Sequence, residues 1–210
     1  MTQKIVLDIV SPARFLYIRV ITYNFRNMET KKILVVIDVQ NDFITGSLRN
    51  EEAIKKVPNI VKKINEFDGD AIFYTMDTHA ENYMETNEGK KLPVVHCVKG
   101  TEGWEIEASV KAALEDAKLR NIKVACVEKP TFGSYDLVEE IKRISLWADL
   151  DIELVGFCTD ICVVSNALLV KAAFYEKAKI TVVEDCCAGV TPETHFAACK
   201  AMQMCQIDVI

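Results

Sequence analysis

No stretch of the 210-residue chain runs for about 18 apolar residues without interruption, so a transmembrane helix is not expected. Basic residues are in the minority, 25 Lys and Arg against 31 Asp and Glu. The resulting net charge of −6 argues against a nucleic-acid or acidic-lipid partner. No proline- or glycine-rich linker divides residues 31–210, which therefore read as one domain. A glycine-rich turn after the first strong apolar run is also missing. Asp38-Val39-Gln40 stands in its place, which excludes the pyrophosphate cradle of a dinucleotide-binding domain. Histidine is scarce, with three in the chain.

The eight cysteines, at 97, 126, 158, 162, 186, 187, 199 and 205, mostly fall inside apolar runs rather than at the spacings of a disulfide framework. They read as small buried hydrophobes of a reducing, cytoplasmic protein. The remaining composition, 50% hydrophobic and 27% charged with mean hydropathy +0.11, is that of a soluble globular chain. At this length roughly 70% of the unfolded surface should be buried, so folding needs neither a disulfide nor a structural metal. The first 30 residues stand apart. Ile5 to Phe25 is apolar and aromatic, but Asp8, Pro12, Arg14 and Arg19 interrupt it, and no small-residue cleavage site follows. Residues 1–30 are expected to be an N-terminal extension, with Met28 as a candidate natural start.

From Lys31 onward, short apolar runs alternate with amphipathic ones. The runs are 32–39, 70–77, 123–129, 151–157, 179–185 and 205–210. Helical patterns lie over 51–67, 104–118, 134–147, 160–176 and 191–204. In the first of these, Ile54, Val57, Val61 and Ile64 recur at spacings of three and four. Six strands joined by helices predict an α/β fold, a three-layer, doubly wound, parallel six-stranded sheet of Rossmann-like topology. Ligands in such sheets bind beyond the carboxyl ends of the strands. Those ends carry Asp38, Asp77, Lys129 and the segment 156–162.

Cys162 is the natural nucleophile among them. It falls in the first turn of the helix predicted from Asp160, where the helix dipole favours thiolate. A nearby Lys129 ammonium would act in the same direction. Asp38 could accept the thiol proton and later return it to a departing amine. The plain alternative for Cys162 is core packing.

Three blocks bear on that choice: DVQNDF at 38–43, KPTFGSYDL at 129–137 and GFCTDICV at 156–163. In this order and at strand ends, they resemble the signature blocks of the isochorismatase-like cysteine hydrolases, a family that includes nicotinamidases. The resemblance runs from about Lys32 to the end. It implies a catalytic triad of Asp38, Lys129 and Cys162, a cis peptide at Phe157-Cys158, and an oxyanion hole built from the backbone N–H groups of Cys158 and Cys162.

The polar segment 77–96 holds Asp77, His79, Glu88 and His96, all oxygen or imidazole donors. DTHAENYMETNEGKKLPVVHCVKGT resembles the metal-binding segment of nicotinamidases, which implies those four as ligands, with Glu81 and Glu85 as rivals for the place of Glu88. Mixed nitrogen and oxygen ligation suits a divalent ion, zinc first, with iron or manganese as alternatives. In the family the metal holds the pyridine nitrogen of the substrate. Phe43 and Tyr135 lie within matched blocks and are the candidate walls for an aromatic ring. Trp104 reads as a helix anchor. Pro93-Val94-Val95 departs from nicotinamidases, which place an aromatic there.

The reaction expected from the resemblance is hydrolysis of a small amide, nicotinamide to nicotinate and ammonia, through a Cys162 thioester. The alternatives are a ureido or carbamoyl amide hydrolase of the same family, and a non-catalytic α/β binding protein that keeps the fold. Members of the family commonly form homo-oligomers, and the same is expected here.

Overall fold

The computed structural model describes residues 29–145 and 148–210, together with the backbone of two strands, β1 (Ile5–Val10) and β2 (Tyr17–Thr22). These two pair antiparallel with each other. Of the predicted extension, Glu29 is described and Thr30 already opens the first strand of the sheet, while the remaining positions, including Met28, lie outside the described residues, as does Trp147.

The apolar run after Lys32 becomes β3 (Thr30–Ile37), whose last five residues are all buried. A strand apolar at successive positions must be covered on both faces, which places it in the middle of a parallel sheet. It pairs in parallel with β4 (Ala71–Asp77) on one side and β6 (Asp149–Phe157) on the other. β5 (Lys123–Lys129) flanks β4, while β7 (Ala178–Ala188) and the short β8 (Asp208–Val209) continue beyond β6. The order is β5-β4-β3-β6-β7-β8, parallel throughout, as the alternation of runs predicts. The chain moves outward from β3 to β5 and then crosses back to β6. The topological switch point therefore lies between the carboxyl ends of β3 and β6.

Helices cover both faces. α1 (Asn41–Ile44) is a single turn after β3. α2 (Glu51–Glu66) and α3 (Ala108–Leu119) pack on one face through residues such as Val57, Ile60, Ile64, Val110 and Leu114. α4 (Tyr135–Ile144), α5 (Val164–Phe174) and α6 (Pro192–Met204) cover the other with Leu137, Ile141, Ala167, Val170, Cys199 and Met202. Side-chain caps fix several starts. Asn50 accepts from the N–H groups of Glu52 and Ala53, and Thr191 forms a reciprocal capping box with Thr194 ahead of α6.

Two predicted helix starts move. The helix expected from Trp104 begins at Ala108, because residues 105–107 are bound to the loop after β3. Asn41 N–H donates to the Glu105 carbonyl, and Glu107 N–H to that of Val39. The helix expected from Asp160 is preceded by a widened turn over Thr159–Val163, in which Val163 N–H reaches back to the Cys158 carbonyl. The buried stripe of α2 runs through Ala53, Val57, Ile60 and Ile64, leaving Ile54 and Val61 at its margin.

Gly156 of β6 pairs with Ile37 of β3 and has φ +119. A Cβ there would lie 2.1 Å from the Ile37 carbonyl oxygen. Gly156→Ala combines an unfavourable backbone region with a backbone clash and is expected to lower stability by about 2–4 kcal/mol. A denaturant titration reads this directly, and a wild-type midpoint would contradict the packing.

Candidate active site

Four adjacent strands, β5, β4, β3 and β6, each deliver a polar group at the carboxyl end or just beyond it. Asp38 follows β3 with φ +49, a left-handed conformation uncommon outside glycine. Its N–H donates to the Thr75 carbonyl of β4, and the Thr75 hydroxyl donates to Oδ1 at 2.6 Å. Asp77 ends β4, Lys129 ends β5, and Cys162 lies in the widened turn after β6. The Phe157-Cys158 peptide leading into that turn is cis.

The Lys129 ammonium is the hub. It sits 2.6 Å from Asp38 Oδ2, 3.4 Å from Asp77 Oδ1 and 3.4 Å from Cys162 Sγ, and it donates to the Thr131 carbonyl at 3.1 Å. Lys129 is 1% exposed and Asp38 0%. A charge so deeply placed persists only with close partners. Burial alone would push the lysine down, but Asp38, Cys162 and Asp77 more than offset it and hold the ammonium firmly protonated. Burial raises the Asp38 carboxyl, opposed by Lys129. Asp77 is held well below the usual carboxylate range. Burial opposes this, but hydrogen bonds to His79 and His96 and the charge of Lys129 prevail.

Cys162 differs from the sequence expectation of a resting thiolate. Its side chain is buried, and burial together with Asp38 raises its thiol well above the ordinary value of 9.0, with Lys129 as the opposing influence. One ammonium already faces two carboxylates, so a third negative charge is disfavoured. Lys129 touches both Asp38 and Cys162, which makes that carboxylate the nearby candidate acceptor for the thiol proton.

Beyond Asp77 lies a second cluster. Donor atoms of Asp77, His79 and His96 lie within 4.8 Å of one another. His79 Nε2 is 3.0 Å from Asp77 Oδ2 and 3.7 Å from Glu88 Oε1, and His96 Nε2 is 3.5 and 3.9 Å from the same atoms. Glu81 and Glu85, the rivals of Glu88, are exposed. The Val94 carbonyl can only accept, so His96 Nδ1 carries the proton toward it at 2.8 Å. Nε2 of the neutral ring is thereby left as a lone-pair donor facing the cluster. Tyr83 buttresses both rings, with centroids 4.6 Å from His79 and 4.9 Å from His96. Two imidazoles and two carboxylates so arranged fit a divalent ion of the zinc, iron or manganese kind.

Both clusters open into one cavity of about 710 Å³, lined by Asp77, Glu88, His96, Cys158 and Cys162 among others. Phe43, expected as a wall, lines it and meets His96 edge-on at 5.8 Å between ring centroids. Tyr135, the other expected wall, does not. It is 78% exposed as the first residue of α4, and Ser134 caps that helix by accepting from Leu137 N–H. The aromatic from the same block that does line the cavity is Phe132, joined by Ile161 and Val190. Trp104 donates from its indole to the Thr78 hydroxyl at 2.9 Å, an anchoring role.

Two supporting residues have no local signal of their role. Gln40 bonds both the N–H and the carbonyl of Asp77 with its side-chain amide. Asn166, fully buried on α5, donates to the Cys162 and Phe132 carbonyls and accepts from Ser134 N–H, tying the turn that carries Cys162 to the 129–137 block. A buried asparagine on the apolar side of a helix was the only clue in the sequence.

Comparison with known proteins places this geometry in context. A family model described as the isochorismatase domain matches residues 32–210. An uncharacterized isochorismatase family protein of Bacillus subtilis is 28% identical over 173 residues, covering 79% of this chain and 90% of that protein. A nicotinamidase of Schizosaccharomyces pombe is 25% identical over 206 residues, covering 84% and 91%. The crystal structure of a nicotinamidase/pyrazinamidase from Bacillus subtilis superposes with a TM-score of 0.72 at 28% identity, covering 85% of this chain and 98% of that one.

The neutral resting thiol has a measurable consequence. In metal-stripped protein, the rate of Cys162 alkylation by iodoacetamide should keep rising beyond pH 9.0, because a raised thiol yields thiolate only above its ordinary value. Peptide mass spectrometry at each pH follows it. A rate already level by about pH 7 would identify a depressed thiol instead.

Proposed function

Because the chain belongs to the isochorismatase family, we propose that it is a cysteine amidohydrolase whose substrate is nicotinamide or a closely similar small amide. The observation that carries the reading is the placement of Lys129 Nζ 2.6 Å from Asp38 and 3.4 Å from Cys162, with Cys162 lining a cavity large enough for such a molecule. A carboxylate and a thiol bridged by one ammonium, beside open space, are the components of covalent acyl transfer.

In this reading Asp38 takes the Cys162 proton as the sulfur attacks the amide carbonyl. Charge gathers on the carbonyl oxygen, which the backbone N–H groups of Cys158 and Cys162 would receive. Collapse of the tetrahedral intermediate breaks the carbon–nitrogen bond, and Asp38 gives its proton to the departing ammonia. The same carboxylate then accepts a proton from a water molecule that attacks the thioester, and releasing the acid restores the thiol. Lys129 remains charged throughout, stabilising whichever of Asp38 and Cys162 is ionised.

Asp77, His79, Glu88 and His96 would hold a divalent ion, zinc first among the candidates, which supplies a Lewis-acidic anchor for a pyridine nitrogen. Phe43 and Phe132 offer flat apolar surface for the ring. The nicotinamidase names of the relatives support the substrate class.

Ammonia release from a panel of amides tests the proposal. Cys162→Ala should lower turnover by about 10³-fold or more while leaving the circular dichroism spectrum and metal content unchanged. Normal activity in that variant would remove the thiol mechanism. Chelation should raise KM for pyridine amides more than for amides without a ring nitrogen. Turnover confined to carbamoyl or ureido amides, with nicotinamide inert, would move the substrate assignment within the family.

A further inference from the structure

The third histidine, which the reaction above does not use, belongs to a separate cluster on the far side of the nucleophile turn. His195 and Cys199 are four residues apart on α6 and so share one face of that helix. Glu184 projects toward them from β7. Their donor atoms all lie within 4.8 Å of one another. Glu184 Oε1 is 3.4 Å and Cys199 Sγ 3.8 Å from the same atom, His195 Nε2. The ring is already oriented through its other nitrogen, since Nδ1 bonds the buried Thr159 hydroxyl at 2.8 Å.

We propose that Glu184, His195 and Cys199 form a second metal site, taking zinc or a similarly thiophilic divalent ion, independent of the proposed active-site metal. Donors bound about 2.0–2.3 Å from a tetrahedral zinc stand roughly 3.3–3.8 Å apart, which matches the two contacts made by His195. A ligating imidazole is normally fixed by a hydrogen bond from its second nitrogen, the part that Thr159 plays. One nitrogen cannot make good hydrogen bonds to a carboxylate and a thiol at once, whereas a single cation between them satisfies all three. The Glu184 side chain is 47% exposed, which leaves the ion a route in and a coordination position for water.

The site would join α6 and β7 to the nucleophile turn through Thr159, a structural clamp at the active-site floor. It rests on neither the thiol mechanism nor the substrate proposed above.

Cobalt(II) reports the two sites separately, because the four proposed active-site ligands include no sulfur. Wild-type protein loaded with Co(II) is expected to show a near-ultraviolet thiolate-to-cobalt charge-transfer band. The band should vanish in Cys199→Ala and persist in Cys162→Ala. Zinc counting by mass spectrometry should find about one ion per chain retained in His79→Ala and none in His79→Ala/Cys199→Ala. Circular dichroism checks that each variant is folded. Absence of the band in the wild type, its survival in Cys199→Ala, its loss in Cys162→Ala, or complete loss of zinc from His79→Ala would each overturn the proposal.

Discussion

The arrangement depends on a single ammonium held away from water. Lys129 at the end of β5 touches Asp38 from β3, Asp77 from β4 and Cys162 from the turn after β6. Each contact joins segments distant in sequence, and each is required, because a lone charge at this depth would be strongly unfavourable. The same ion therefore orders the strand ends and sets the protonation of the groups around it. Removing any one partner changes the charge state of the others. The triad is an electrostatic unit rather than three independent residues.

Asp77 extends that unit. One of its oxygens faces Lys129 and the other faces the two histidines, so the thiol chemistry and the histidine cluster share a carboxylate. Gln40 fixes the backbone of Asp77 on both sides, and Asp42 accepts from Cys97 N–H to hold the return of the 77–97 loop. Both residues come from the short segment after β3. The DVQNDF block is thus largely scaffold, with Asp38 its member in the proposed triad and Phe43 its contribution to the cavity wall.

The sheet was legible because fully buried strands must be continuously apolar and solvent-facing helix positions must not be. The runs containing Ile33–Ile37, Ala71–Met76 and Leu154–Phe157 announce themselves that way. Charges at the ends of those runs, Asp38, Asp77 and Lys129, were equally visible. What the pattern could not convey was direction. Tyr135 and Phe132 stand three residues apart in one block, and only the Ser134 cap decides that the first faces solvent and the second the cavity. The start of α3 was misplaced for a similar reason, since the segment before it answers to hydrogen bonds from the loop after β3. The neutral state of Cys162 depends on burial and on two carboxylates brought near by the fold, while sequence position alone suggested a helix-end thiolate. The neighbours of His195 were invisible for want of any local motif linking β7 to α6.

The switch in strand order carries a consequence for how the chain is made. β3 is the centre of the sheet, yet it emerges early, and its second neighbour is β6, paired through contacts such as Ile37 with Gly156. Until the ribosome has delivered that later strand, a ribbon apolar over its last five residues must wait with one edge open to other chains. Such long-range pairing also slows the final assembly. The arrangement that lets remote segments meet at one reactive point thus makes the nascent polypeptide a natural client for chaperones.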